Sequence, residues 1–542
     1  MSDTPATTSC CRRKAIGFVL LVGLVAVVAG GKAILFDTMD PDCFWHLRVA
    51  EQLLQDGIGP IVDRLSFASM QQPWTPYSWL AELGMKSIWD AGGYRLAVAT
   101  QATVQFSFVL AIAAACRMAT AALPPRARFL PPVARLHCGR PGTPSFLACA
   151  LATATMAFIS LPYLSFRPVT AALLLLAIAM ALIVRDRAAG ERTRAVWLCA
   201  PIAAIVVNLH LYAVFIPMWF GALLAGALWE RLVVADHAER PEAERRVSRC
   251  FMLGMLSGVG CCMTPMLPGL IAAGLHYTSA DPMVAGGYIA EMRPFFHGTF
   301  GQVGAAIVFI ALIAILVRLK HLRPGERLML AMAVLLLTQW GRFATVFAIS
   351  AAPMIAVAIG GLPDRTLARL PVRLAMAIVL VMAAVRIGSD FPKSDTPLQA
   401  WINRHGPDAP GYPAEAARYV QTNVTPNSRR LISEFSWGGY LEWEMGSSYR
   451  VFLDGRTQLF TPAFWNATYL AGRMEREAFL KQIEADAAIL PASSSMFRHA
   501  LIKSGWRSVW KDERSEVLLP PEPTITQKEA RPAGGMIGGL FE

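Results

Sequence analysis

"AIGFVLLVGLVAVVAGGKAILFDTMDPDCFWHLRVAEQLLQDG", residues 15–57, joins two chemistries at one seam. The first twenty or so residues are almost wholly apolar. The ten that follow, from Asp37 to His46, hold Asp37, Asp40, Asp42 and His46. An apolar run of about 20 residues is the length that crosses a bilayer's hydrocarbon core. Its charged lead, Arg12, Arg13 and Lys14, would also suit a signal peptide, but no clear small-x-small cleavage site follows, so the run reads as a retained helix. The acidic stretch then begins the first segment outside the membrane.

Composition extends that reading to the whole chain. Of 542 residues 55% are apolar and only 16% charged, and the mean hydropathy is +0.43, far from a soluble chain of this length. Eleven candidate spans begin near Ala15, Leu96, Phe146, Val169, Ala195, Tyr212, Phe251, Val303, Leu328, Phe343 and Leu374. The formal charge of +12 is gathered in short connectors between them, such as Arg126 to Arg140, Arg185 to Arg194, Arg240 to Arg249, Arg318 to Arg327 and Arg365 to Arg373. Taken alternately, these fall on one side, which the positive-inside rule makes cytoplasmic. The charge is thus a topology signal, and nucleic acid is not an expected partner. Ten scattered cysteines show neither a disulfide framework nor metal-ligand spacing.

The predicted fold class is an α-helical polytopic membrane bundle of about 11 spans. It carries a periplasmic first loop with interfacial helices and a small C-terminal periplasmic α/β domain. The expected division is residues 1–388 for the multi-span domain, with 37–94 as the first external loop, 389–519 for the exported α/β domain, and 520–542 for a Pro/Gly-rich disordered tail. In the C-terminal part, "PAEAARYVQTN" and "MEREAFLKQIEADAAIL" read as helices. "RRLISEF", "GGYLEWE" and "RVFLDGR" read as strands, and "WRSVWKDERSEVLL" as a hairpin turning near Lys511 to Arg514. The chain is expected in a bacterial inner membrane, N-terminus cytoplasmic and C-terminal domain exported.

A purely local account of the acidic triplet is available. Asp40 suits a helix N-cap, Pro41 the first helical position, Asp42 the positive end of the helix dipole, and Gly57 the helix stop. Phe44, Trp45, Leu47 and Leu54 would form an apolar face lying along the membrane surface. Other polar residues, however, end spans on the same exported side. These are Arg167 in "SFRP", Asn208 and His210 in "NLHLY", Glu291 and Arg293 in "AEMRP", and Arg342 in "QWGRFA". Ionisable groups at membrane depth are costly unless they face one another or a water-filled cavity. The expectation is that they meet in one outward-opening hollow. The bland alternative has each arginine snorkelling to headgroups and His210 satisfied at the interface.

"DPDCFWHLRVAEQLLQDG", "PIVDRLSF" and "PWTPYSWLAEL" resemble the first external loop of bacterial membrane proteins of the C-type glycosyltransferase superfamily. "NLH", "IAEMRP", "GRFATVFAISAAP" and "WGGYLEW…YRVFLDGR" resemble further stations of those proteins, so the likeness runs over most of the chain. The resemblance implies inverting transfer of a sugar from a polyprenyl-phosphate donor to a glycan, lipid or protein acceptor on the exported face. It places Asp40 and Asp42 at the usual position of the catalytic carboxylate or metal ligand. No tryptophan-tryptophan-aspartate motif is present, which argues against asparagine-glycan transfer.

The residue types suit that chemistry on their own. An acceptor hydroxyl needs a base, which Asp42, or failing it Asp40, would supply. The departing phosphate needs cations, for which Arg167, Arg293 and Arg342 are candidates. His46, Asn208, His210 and Glu291 are further candidate substrate-binding residues. Asp40 and Asp42, with Glu291 or His46, would suit a divalent cation, Mg or Mn. Asp63 reads as a turn or cap and Glu82 as the wet side of an interfacial helix. Trp74, Tyr77 and Trp79 read as an aromatic belt, and Asp454 and Arg456 as an ion-paired turn. The rival classes are a flippase for lipid-linked sugars and a non-catalytic assembly scaffold. A flippase would want polar groups at mid-span or repeated halves, and neither is visible.

Overall fold

The computed structural model describes residues 5–35, 39–121, 146–234, 240–279, 281–319, 322–360, 412–470, 472–493 and 495–521, together with 374, 377 and 381. The connectors Arg126 to Arg140 and Arg365 to Arg373, nearly all of the expected eleventh span, the start of the C-terminal region and the tail beyond 521 lie outside the described residues. The chain divides into two compact units. The first comprises Met1–Phe36, Val98–Thr264 and Ala290–Pro392; the second comprises Asp37–Ala97, Pro265–Ile289 and Lys393–Glu542.

The first unit is a bundle of apolar helices. Among the described residues five helical segments are long and apolar enough to cross a membrane: Trp79–Ala121, whose first part belongs to the second unit, Phe146–Tyr163, Pro168–Ala188, Leu211–Val233 and Gly341–Gly360. Phe18–Ile34, Ala195–Leu209 and Gly301–Val317 are shorter apolar helices, and Leu267–His276 is another, in the second unit. The chain is thus a multi-pass membrane protein. "ATVFAISAAPMIAVAIG", helix Ala344–Gly360, forms the centre, with every side chain from Ala344 to Ala356 buried. Its alanines and serine keep the cylinder thin, so neighbouring backbones can come close. Gly226 serves the same end, since a Cβ there would stand 2.0 Å from the Gly325 backbone nitrogen.

The second unit is mixed. Helix Asp42–Asp56 begins it, and a ribbon of β1 (Ile61–Val62) and β2 (Pro73–Trp74) follows. The C-terminal sheet holds β3 (Arg430–Ser433), β4 (Arg450–Val451), β5 (Ala487–Pro491), β6 (Arg507–Lys511) and β7 (Ser515–Leu519), in the order β4-β3-β5-β7-β6. Strands β4, β3 and β5 run parallel, and β5, β7 and β6 antiparallel, with β6–β7 the expected hairpin. The first loop is sewn to this sheet: the Phe67 N–H donates to the Val451 carbonyl at 2.9 Å, and the Ser66 hydroxyl to the Phe452 carbonyl at 2.7 Å. Trp45, Trp74, Phe452, Phe464 and Trp465 share one core.

Three local expectations are corrected. "GGYLEWE" is not a strand but part of helix Gly438–Met445. Its glycines are there for space: a Cβ on Gly438 would lie 1.9 Å from the Leu453 carbonyl oxygen, and one on Gly439 2.7 Å from that of Pro41. The helix of "MEREAFLKQIEADAAIL" stops at Leu480, and "AAILP" becomes β5. Alanine favours a helix there, but two neighbouring strands offer the backbone full pairing in a buried sheet and override propensity. The apolar face of helix Asp42–Asp56 is spent on protein, since Phe44, Trp45, Leu47, Val49 and Leu53 are buried and only Leu54 among the large apolar residues stays exposed.

Candidate functional site

In the first unit, helices break where the sequence carries its odd charges. Arg167, His210 and Trp340 each adopt an extended backbone between helical segments, and Ala290–Met292 is a single 3₁₀ turn. Proline at 168 suits the restart after Arg167. Each break leaves main-chain groups to find partners elsewhere, as when the Gly341 N–H donates to the Arg293 carbonyl at 2.7 Å. Gly341 must be small, because a Cβ there would lie 2.9 Å from the Tyr163 hydroxyl.

The breaks bring four of the predicted residues together. Arg167 donates from Nη2 to Glu291 Oε2 at 2.9 Å and from Nε to Ser165 Oγ at 3.0 Å. Arg342 Nη2 lies 3.6 Å from the other Glu291 oxygen, and its Nη1 contacts Met292 Sδ at 3.4 Å. Burial alone would raise the Glu291 carboxyl, but the Arg167 and then the Arg342 charge outweigh it and hold the pKa at about 2. Burial, then Arg342 and Arg167, push the imidazole of His210 well below its usual range. His210 Nδ1 accepts the Tyr212 N–H at 3.3 Å, which leaves Nε2 to carry the proton of the neutral ring.

Around neutral pH the cluster is therefore two guanidinium groups on one carboxylate beside a neutral histidine. New helical segments start just after Arg167, His210 and Arg342, and helix starts favour negative charge. Such a surplus of positive charge can bind and stabilise an oxyanion. With Glu291 ionised and His210 neutral, it is poorly suited to supply a proton. Arg293 enters through its carbonyl, described above. Asn208, buried, donates from Nδ2 to the Ala204 carbonyl at 2.8 Å and to the Met263 carbonyl at 2.9 Å, tying two helices together.

Asp40, Asp42 and His46 belong to the second unit. The Asp42 N–H donates to Asp40 Oδ1 at 3.0 Å, so Asp40 does cap the chain, with Pro41 rather than Asp40 at the helix boundary. Asp42 Oδ1 accepts the indole N–H of Trp45 at 3.0 Å. Gly455 presses against that pair: a Cβ on it would stand 2.3 Å from Asp42 Oδ1 and 2.8 Å from Trp45 Nε1. His46 is buried, with Nδ1 2.9 Å from Glu82 Oε1.

The expected ion pair of Asp454 and Arg456 is present, and it belongs to a larger buried cluster. Arg456, 1% exposed, donates from Nη1 to Asp63 Oδ1 at 2.6 Å and from Nε to Asp454 Oδ1 at 3.0 Å; Glu442 lies 3.6 Å away. Asp63 is thus a buried partner and Glu82 faces the interior, not water. Trp45 and Gly455 were also missed, although Trp45 stands three residues after Asp42, the spacing that puts two side chains on one helix face. Among the described residues no group of three or more His, Cys, Asp or Glu side chains could hold a metal ion. Asp40 and Asp42 alone supply two carboxylates, which suits Mg²⁺ only when the substrate's phosphate and water provide further ligands.

No protein-family model matches the sequence, and no curated protein does. Solved structures do match in fold. An oligosaccharyltransferase of Archaeoglobus fulgidus, tethered to an acceptor peptide containing the NVT sequon, aligns with a TM-score of 0.50 at 11% identity, over 88% of this chain and 69% of that one. ArnT from Cupriavidus metallidurans aligns with a TM-score of 0.42 bound to undecaprenyl phosphate and 0.44 in the apo state, each at 12% identity. These alignments cover 94% and 93% of this chain and 99% and 98% of theirs. The chain is therefore similar in fold to the archaeal oligosaccharyltransferase.

Proposed function

We propose that this protein is an integral-membrane glycosyltransferase, hexosyl or pentosyl, of about eleven spans. It would use a polyprenyl-phosphate donor and a glycan, lipid or protein acceptor on the exported face of a bacterial inner membrane, with its N-terminus cytoplasmic. The division proposed with it is a multi-span domain over 1–388, an exported domain over 389–519 and a tail over 520–542. The observation that carries the reading is the pair of guanidinium groups on the single ionised carboxylate of Glu291, in a chain whose fold is similar to that of an oligosaccharyltransferase. A bundle that only scaffolds has no need of two half-buried guanidinium groups at the ends of its apolar helices, whereas a departing phosphate does.

In the proposed step the acceptor hydroxyl oxygen attacks the anomeric carbon from the face opposite the phosphate. The bond to the phosphate oxygen breaks, its electron pair leaves with the polyprenyl phosphate, and configuration inverts. The hydroxyl proton passes to Asp42, with Asp40 capping the helix start beside it. Arg167 and Arg342 take up the phosphate charge, with Arg293 and His210 as further contacts. A divalent cation bound by Asp40, Asp42 and the substrate would lower the hydroxyl's pKa when present.

The test is sugar transfer from defined polyprenyl-phosphate-linked donors in membranes holding wild type or Asp42→Asn. The variant is expected to lose transfer by about 10²- to 10⁴-fold, the usual scale for a general base, with normal insertion. Equal rates would remove Asp42 from the chemistry.

A further inference from the structure

Asp42 and Gly455 are half-buried while most residues around them are fully buried, so the interior of the second unit opens at this point. Around it the contacts close into a ring. Asp42 Oδ1 takes the Trp45 indole N–H at 3.0 Å. Trp45 packs edge-on against Trp74, with ring centroids 6.2 Å apart at 67°. The Arg456 guanidinium lies 5.1 Å over the Trp74 ring. Arg456 adjoins Gly455 in the chain, and Gly455 returns to Asp42, leaving no room for a methyl group. The buried pairing of Arg456 with Asp63 and Asp454 rivets the turn that carries this glycine. Gly455 needs no left-handed backbone, so space alone accounts for a glycine there.

From this ring we infer that Trp45 and Gly455 are positioning residues for Asp42, and that the C-terminal sheet domain thereby shapes the acid site of the first loop. The inference rests on the reading of Asp42 as the base. One donor on Oδ1 and a backbone wall against it restrict both the rotamer and the plane of the carboxylate. Bases held within a fraction of an ångström owe much of their effect to such restriction.

Trp45→Phe and Gly455→Ala, made in the full-length protein and assayed in membranes, test it. Trp45→Phe keeps an apolar ring and loses only the donor. It is expected to lower kcat about tenfold and to leave KM for the donor within about twofold. Gly455→Ala, which forces the carboxylate aside, is expected to lower kcat about 100-fold with KM again little changed. A merely structural role would reduce the active fraction and leave kcat per folded molecule unchanged; a Trp45→Phe kcat per folded molecule equal to wild type overturns the inference while Asp42 as base survives. Wild-type transfer by Asp42→Asn would instead overturn the base and this inference together.

Discussion

The two arginine–carboxylate clusters use the same groups to opposite ends. Around Arg456 three acids, Asp63, Asp454 and Glu442, surround one guanidinium, and all four side chains are at most 1% exposed. Around Glu291 two guanidinium groups share one acid, and the side chains of Arg167, Arg342 and Glu291 stay 15%, 19% and 25% exposed. A buried surplus of negative charge has nowhere to go, so a proton cancels part of it. Burial, then the neighbouring Asp454, raise the Glu442 carboxyl well above its ordinary range, while Arg456 holds that of Asp454 down. Two guanidinium groups that solvent reaches, beside an ionised carboxylate, can instead meet an incoming anion. Which sign is in excess, and whether water reaches it, separates a rivet from a binding site.

The largest expected effect lies in the rivet. Arg456→Leu strips from three buried carboxyls the cation that pairs with them, and breaking a buried pair from one side typically costs about 3–5 kcal/mol. Thermal unfolding in detergent and limited proteolysis of the C-terminal region should both report the loss. Glu442→Gln sharpens the point: it replaces a neutral acid by a neutral amide and should cost no more than about 1 kcal/mol. Equal damage from the two substitutions would mean that Glu442 is charged, contrary to the account above.

At the other cluster the effect should fall on transfer. Arg342→Gln is expected to reduce sugar transfer about 100-fold, the scale for losing one donor to a developing oxyanion. Its cost in stability should stay within about 1 kcal/mol, since the Arg342–Glu291 contact is loose and partly solvated. Arg342→Lys should recover little of the rate, because an ammonium lacks the planar fork that matches phosphate oxygens. A variant that unfolds yet retains transfer per folded molecule would make this cluster a second rivet.

How much of this could be seen in the sequence follows from what each cluster needs. Arg167, His210, Glu291 and Arg342 interrupt or end apolar runs, so each stands out against its own neighbourhood, and apolar packing of the runs leaves them few places to go. The rivet has no such contrast. Asp63 and Arg456 are 393 residues apart, and each sits among polar neighbours where a charge ordinarily faces water. Only tertiary pairing, invisible to local pattern, buries them. "GGYLEWE" and "AAILP" misled for the same reason. Glycines placed for close backbone approach lower the helix propensity of a segment that is in fact helical, and alanines filling the centre of a sheet resemble helix. Trp45 beside Asp42 was legible in spacing; the glycine opposite them was not.

Acid should separate the clusters with the smallest effect and the clearest sign. Glu291 has an ordinary pKa of 4.5 and is held at about 2 in the folded chain, so between those values the unfolded chain binds the extra proton. Its stabilising contribution is complete above about pH 4.5 and is lost as pH falls toward 2. Glu442 runs the other way: its folded pKa is raised, so folding takes up a proton above the ordinary range, and stability from this group grows as pH falls toward 4.5. Unfolding midpoints of wild type, Glu291→Gln and Glu442→Gln, measured from pH 8 to pH 3, should therefore show two different gaps. The wild-type advantage over Glu291→Gln should be flat down to pH 5 and shrink below it. Any deficit of wild type against Glu442→Gln should instead shrink between pH 8 and 5 and be flat below. Gaps that close over the same pH range would mean that the two carboxyls titrate alike, and the distinction between rivet and binding site would lose its electrostatic basis.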